Sequence, residues 1–246
     1  MHINSFSNNY YQPVFYANNR KINNNKGELL YKTTTYFFRD DLDWDILTDY
    51  LCHKYKNTDK VNIICHACSN GSEPYSLAMR LMAFHENDSG KFLPILAKDL
   101  DFENIRCAKK GLCEADNNDL YRIDFYTKSK YRDYLIPQKN FLSNKSIIMS
   151  PKQILKEKVN FEQGDIFKDI ENIPKENTVL FCKNFWPYLS ETKRELLAKK
   201  LGSKLGKSSL VIIGDFDSLR SDVRSLLSKN GFRENPYVIN VWEKLK

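Results

Sequence analysis

The clearest hydrophobic signal in this chain is a series of short, continuous apolar runs separated by segments with helical spacing. Val61 to Cys65 is apolar and β-branched enough for a buried strand, and it leads into a small-residue turn, His66 to Ser72. A helix opens at Glu73 and Pro74, a favourable place for proline, and carries Leu77, Ala78, Leu81 and Met82 on one face as far as His85. FLPILAKDLD (92–101) reads as a second buried strand ending in acids, and FENIRCAKKG as a short helix stopped by Gly111. The pattern resumes with strands in VNFEQGDIF (159–167), TVLFCKN (178–184) and SSLVIIGDF (208–216). Between and after them fall helices from Ser190 to Leu201 and from Leu219 to Leu227, and GFRENPYVINVWEKL ends the chain as a hairpin at a sheet edge. Strands alternating with helices predict an α/β fold with a parallel sheet and crossover helices.

Three stretches depart from this rhythm. Residues 1–30 are Asn- and Tyr-rich without a period, and NNRKINNNKGE reads as loop. Thr33 to Phe38 are β-branched or aromatic, and Asp41 or Asp43 then caps a helix whose face carries Trp44, Leu47, Tyr50 and Leu51. Residues 112–158 are dense in Tyr and Arg, alternate at Tyr121, Ile123 and Phe125, and read as an inserted small β-type subdomain. The expected division is an irregular segment 1–30 and one domain 31–246 with that insertion. There is no internal repeat.

Composition narrows the function classes. The chain has 246 residues with 38 basic and 31 acidic side chains, a net charge of +7 that suits an acidic partner. The lysines are scattered and never form a block, so the charge reads as a solvated basic surface rather than a nucleic-acid patch. No apolar run approaches the roughly 20 residues of a membrane span. MHINSFSNNYYQPVF lacks the basic-then-apolar order of a secretory signal, so six cysteines point to reduced thiols in a cytoplasmic protein.

The turn at 66–72 limits the ligand. No Gly-Lys-Ser/Thr run follows the first strand, which argues against cradled ATP phosphates. With Gly71 alone, a dinucleotide pyrophosphate has poor backbone access. A ligand without phosphates, such as S-adenosylmethionine, needs less glycine here. Asp99, ending the second strand, suits both hydroxyls of a ribose, and Asp165, after the third, suits an adenine amino group; singly, each also fits a loop or cap residue. Cys65-His66-Ala67-Cys68 is a lone CxxC without a second ligand pair at usable spacing, so no metal is expected.

TTTYFFR (33–39), ACSNGSEPYSLAM (67–79), AKDLDFENIRCAKKG (97–111), VNFEQGDIF (159–167) and CKNFWPYLS (182–190) together resemble the catalytic domain of CheR-type chemotaxis receptor methyltransferases. Ala-Cys-Ser-x-Gly-x-Glu-Pro-Tyr-Ser is the most specific piece. The resemblance implies a Rossmann-like, seven-stranded class I methyltransferase sheet and O-methylation of a protein glutamate by S-adenosylmethionine, leaving S-adenosylhomocysteine. Carried over by motif, the cofactor-binding positions are Thr33, Thr35, Arg39, Ala67, Gly71, Glu73, Asp99, Leu100, Asp165, Ile166, Lys183 and Asn184. Arg39 and Tyr188 match the residues facing the methyl group and the acceptor.

The residue types agree with that chemistry. A glutamate is already an anion at pH 7, so its methylation by in-line displacement needs alignment rather than a general base. Arg39 suits a bidentate clamp on a carboxylate, and Tyr188 suits orienting it or supporting a sulfonium. The bland alternatives are a surface ion pair of Arg39 with Asp40 or Asp41, and core packing of Tyr188 beside Phe185 and Trp186. Departures from the family are the missing helical N-terminal domain, Thr33 for Asn, Lys183 for Arg, Asp165 for Asn, and Gly214-Asp215-Phe216-Asp217 for Gly-His-Ser-Glu. They bear on the acceptor more than on the cofactor. A small carboxylic acid or nucleic acid as acceptor, and a catalytically silent cofactor-binding module, remain the rival readings.

Overall fold

A computed structural model of the protein describes residues 21–23, 29–32, 35–138 and 146–245. The main sheet has seven strands: β1 (Asn62–His66), β2 (Ile95–Asp99), β3 (Val159–Gln163), β4 (Thr178–Cys182), β5 (Leu210–Ile212), β6 (Phe232–Glu234) and β7 (Val241–Lys244). Their order is 6-7-5-4-1-2-3, with β7 antiparallel to both neighbours and the rest parallel. The chain therefore winds from β1 outward through β2 and β3, then returns beside β1 as β4. That reversal opens a crevice beyond the carboxyl ends of β1 and β4, where α/β sheets bind ligands.

Alternation along the strands divides the core between the two faces. Ile63, Cys65, Val179 and Phe181 pack on one side, together with α1 (Trp44–Lys54) and α2 (Ser72–Phe84). Ile64, Leu180 and Cys182 pack on the other, against Leu197 and Leu201 of a C-terminal helix. Asp43, rather than Asp41, caps α1 by accepting from Ile46 N at 3.0 Å. Gly111 ends α3 (Phe102–Lys110) in a left-handed conformation, as expected.

The insertion holds a three-stranded antiparallel sheet (Cys113–Asp116, Ser146–Pro151, Leu135–Pro137), and Cys113, Ile123 and Met149 join the core under α2. Its alternating stretch is nevertheless a helix, α4 (Asn117–Tyr126). A capping box between Asp116 and Asp119 starts it, and Ile123 is its inward residue. Local capping outweighed a three-residue alternation.

Two further expectations change. The segment read as irregular contributes to a short antiparallel pair, Lys21–Asn23 with Leu29–Lys32. The helix expected from Leu219 to Leu227 is two, α5 (Asp215–Arg220) and α6 (Val223–Lys229), since the Ser221 hydroxyl bonds back to Asp217 O at 2.7 Å and accepts from Val223 N. The β-branched and aromatic run before Arg39 forms no strand in residues 35–39: Phe37 and Phe38 sit in a turn with both rings buried.

Candidate active site

A cavity of about 360 Å³ lies at the reversal point. Its first wall is the turn after β1. Ala67, Ser69 and Gly71 all have positive φ, at 58°, 52° and 89°, so the chain alternates in and out of the left-handed region. This turn is clamped to β2 by two main-chain donors: Cys68 N donates to Lys98 O at 3.0 Å, and Ser69 N donates to the Asp99 carboxylate Oδ2 at 2.8 Å. Gly71 does not line the cavity. A Cβ there would stand 2.7 Å from the Phe161 ring, so glycine serves the turn's conformation and its packing. Ala67 and Ser69 face the cavity instead.

Asp99 closes the same wall. Its Oδ1 accepts from Asp101 N at 2.9 Å and from Asn104 Nδ2 at 3.2 Å. Burial outweighs these donors and raises its carboxyl above the usual range. Leu100, 67% exposed, stands beside it on the rim. Across the cavity, Asp165 caps a short helix through Phe167 N at 3.0 Å, and Ile166 and Phe167 add apolar surface.

The opposite wall is assembled from distant segments. Phe38 N donates to Ser76 Oγ at 2.8 Å and Trp44 Nε1 to Arg39 O at 3.0 Å, so Arg39 is held between α2 and α1. Its Nε lies 3.2 Å from Asp41 Oδ2; the expected ion pair exists, but its carboxylate side chain is only 6% exposed, and Arg39 lines the cavity. Lys183, directly after β4, is buried between Asp41 at 2.8 Å and Glu73 at 2.9 Å. Burial lowers its affinity for a proton, but the two carboxylates outweigh this and keep it charged.

Asn184, at φ 63°, donates from Nδ2 to Asp41 Oδ2 at 2.9 Å. The loop it begins is fixed by Asp217, whose carboxylate accepts from the main-chain N–H groups of Asn184, Trp186 and Gly214 at 2.5, 3.1 and 2.8 Å. Burial pushes Asp217 up to about 6. Tyr188, 41% exposed, is not core packing: it faces the cavity with its ring tilted against Phe216, 5.6 Å between centroids.

Of the residues expected from sequence, the cavity brings together Thr35, Arg39, Ala67, Glu73, Asp99, Leu100, Asp165, Ile166, Lys183, Asn184 and Tyr188. Thr33 lies outside the described residues. Sequence reasoning missed Asp41, Ser69, Asn104 and His66, which line or brace the cavity; Ser69 and Asn104 lie within the quoted motifs but were not singled out. It also read Asp217 only as a departure, although an acid three residues after a strand-end glycine is an N-terminal capping signal. Among the described residues, no cluster of His, Cys, Asp and Glu could hold a metal ion, and Cys65 and Cys68 are core residues.

The family model "CheR methyltransferase, SAM binding domain" matches residues 33–233. The chemotaxis protein methyltransferase of Borreliella burgdorferi is 30% identical over 195 residues, covering 76% of this chain and 65% of that protein. Chemotaxis protein methyltransferase 1 of Pseudomonas aeruginosa is 26% identical over 195 residues, covering 76% and 66%. The chain thus spans just under two thirds of the length of these relatives. Among solved structures, a TehB-like SAM-dependent methyltransferase from Corynebacterium glutamicum aligns with a TM-score of 0.41 at 13% identity, covering 82% of this chain and 94% of that one.

Proposed function

The chain belongs to the CheR methyltransferase SAM-binding family, and from that premise we propose that it O-methylates a glutamate side chain of a protein acceptor, with S-adenosylmethionine as methyl donor. The observation that carries this reading is the pairing of two unlike walls on one cavity. Glu73 and Asp99 face it from the motif side, and Arg39 and Tyr188 from the other.

The residues present fit the cofactor. Asp99 suits ribose hydroxyls, Glu73 an α-ammonium, and Leu100, Ile166 and Phe167 an adenine face, and Gly164 is the one glycine among the described residues lining the cavity. When bound, S-adenosylmethionine supplies an electrophilic methyl group on a sulfonium. The protein's part is then alignment. Arg39, braced at its backbone and at Nε, presents a fixed cation to an acceptor carboxylate. Tyr188 borders the same space from a loop that Asp217 holds. No proton has to be removed from an acceptor that is already a carboxylate. The cavity's histidine suits no base either, for burial holds His66 down to about 4.

The same reading places the protein in the cytoplasm, where its six free thiols stay reduced. Among the described residues, no helix is long and apolar enough to cross a membrane.

The test has two steps. Calorimetry with S-adenosylhomocysteine is expected to show saturable binding; no binding rejects the cofactor. Labelled methyl incorporation from S-adenosylmethionine into lysate is expected in protein and to be released by mild base, as a carboxyl ester is. Base-stable label, or label in RNA or in small molecules, rejects the protein-glutamate acceptor, and binding without turnover on any fraction indicates a silent module.

A further inference from the structure

Lys183 has two counter-ions, and they differ in what else they do. Asp41 is satisfied entirely within the protein. Its Oδ1 meets Lys183, its Oδ2 meets Asn184 and Arg39, and its main-chain carbonyl accepts from Asn240 Nδ2 at 3.2 Å. Asp41 lies behind the cavity wall, whereas Glu73 and Lys183 both line the cavity. Glu73 comes from the first turn of α2 and meets Lys183 from the cavity side.

A cationic ligand group that binds Glu73 therefore arrives next to the Lys183 ammonium. Two cations on one carboxylate repel strongly at low dielectric, and a buried lysine cannot turn to water for relief. A second negative charge in contact with Lys183, out of the ligand's reach, removes the conflict. We propose that Asp41 is the standing counter-ion of Lys183, and that it thereby leaves Glu73 available for the α-ammonium at the amino-acid end of the cofactor. This rests on the cofactor reading above. Asp41 is a positioning residue, acting through Lys183 on Glu73 without touching the ligand. The strong pull of Lys183 and Arg39 holds its carboxyl below the usual range despite its burial, so the charge is present at neutral pH.

Two ligands separate this role from a structural one. S-adenosylhomocysteine carries the amino-acid end, and 5′-methylthioadenosine has the same adenosine and sulfur without it. By calorimetry, Asp41→Asn is expected to bind S-adenosylhomocysteine at least about tenfold more weakly than wild type, and 5′-methylthioadenosine within twofold. Adding Lys183→Met to Asp41→Asn is expected to restore S-adenosylhomocysteine binding, because the competing cation is gone. Equal loss of both ligands, or loss of neither, overturns the proposal. If Asp41→Asn does not fold, Lys183→Met with and without Asp41→Asn decides. Affinity for S-adenosylhomocysteine should then not depend on Asp41, and a remaining tenfold loss overturns the assignment. Wild-type protein that binds neither ligand instead overturns the cofactor reading, a result distinguishable from every outcome for the variants.

Discussion

The two walls of the cavity reach the same functional end by different means. The wall around Ala67–Gly71 and Asp99 joins neighbouring strands, and main-chain geometry does most of the holding: alternating left-handed residues, and amides of residues 68 and 69 donating across to β2. The wall around Arg39, Lys183 and Tyr188 draws on residues 35–41, 183–188 and 217, and is held by buried charge. A backbone-built wall is sensitive chiefly where a side chain would alter φ or packing. A charge-built wall is sensitive at every member, because removing one partner leaves the others buried and uncompensated.

The largest expected effect lies on the charged wall. Arg39→Ala is expected to lower kcat on a protein acceptor by about 10³, about 4 kcal/mol of transition-state stabilisation, with S-adenosylhomocysteine affinity within about threefold. Steady-state kinetics beside calorimetry checks it. Equal losses in both would mean that the two walls do not divide the labour between cofactor and acceptor.

The next effect belongs to the backbone wall and to pH. His66, at the end of β1 and beside Asp169 and Lys98, is held down to about 4 by burial. An unfolded imidazole titrates near 6.5. Between those values the unfolded chain takes up a proton that the folded chain refuses, so stability falls as pH falls, by about 3 kcal/mol across the window. Urea unfolding at pH 7 and pH 4.5 should show His66→Leu losing less stability than wild type. An unchanged pH dependence would remove His66 as a source of acid sensitivity.

Asp217→Ala tests whether the charged wall also relies on main-chain support. Three N–H groups lose their acceptor, a cost partly offset by relief of a buried carboxylate, for a net loss of about 2 kcal/mol in denaturant unfolding. Turnover should fall more than cofactor affinity, since the loop carrying Tyr188 is released. Gly71→Ala is the smallest, about 1.5 kcal/mol from positive φ and contact with the Phe161 ring. A lowered Tm with S-adenosylhomocysteine affinity kept would confirm that Gly71 supports the turn without meeting the ligand.

Legibility followed the same division. The strand–turn–helix at 61–84, the acid ending β2 and the cap at Gly111 were readable because each depends on residues close in sequence. The helix at 117–126 was misread because three alternating residues outweighed a capping box starting at Asp116. Arg39 was readable as a candidate, but its brace was not: Ser76 and Trp44 identify themselves only once α1 and α2 are packed. Asp217 looked like a substitution in a motif and is the support of another segment's backbone.

By itself the amino-acid order determined most of the alternating elements, a turn with a single glycine and the set of acids and cations available, because periodicity, capping and turn chemistry act over a few residues. Only the tertiary structure decided how those charges are shared. Asp41, Glu73 and Lys183 are far apart along the chain, and which carboxylate meets the lysine behind the wall and which meets it from the cavity side depends on burial and direction. Both carboxylates reach the lysine, and only Glu73 also lines the cavity, a division that no local pattern records.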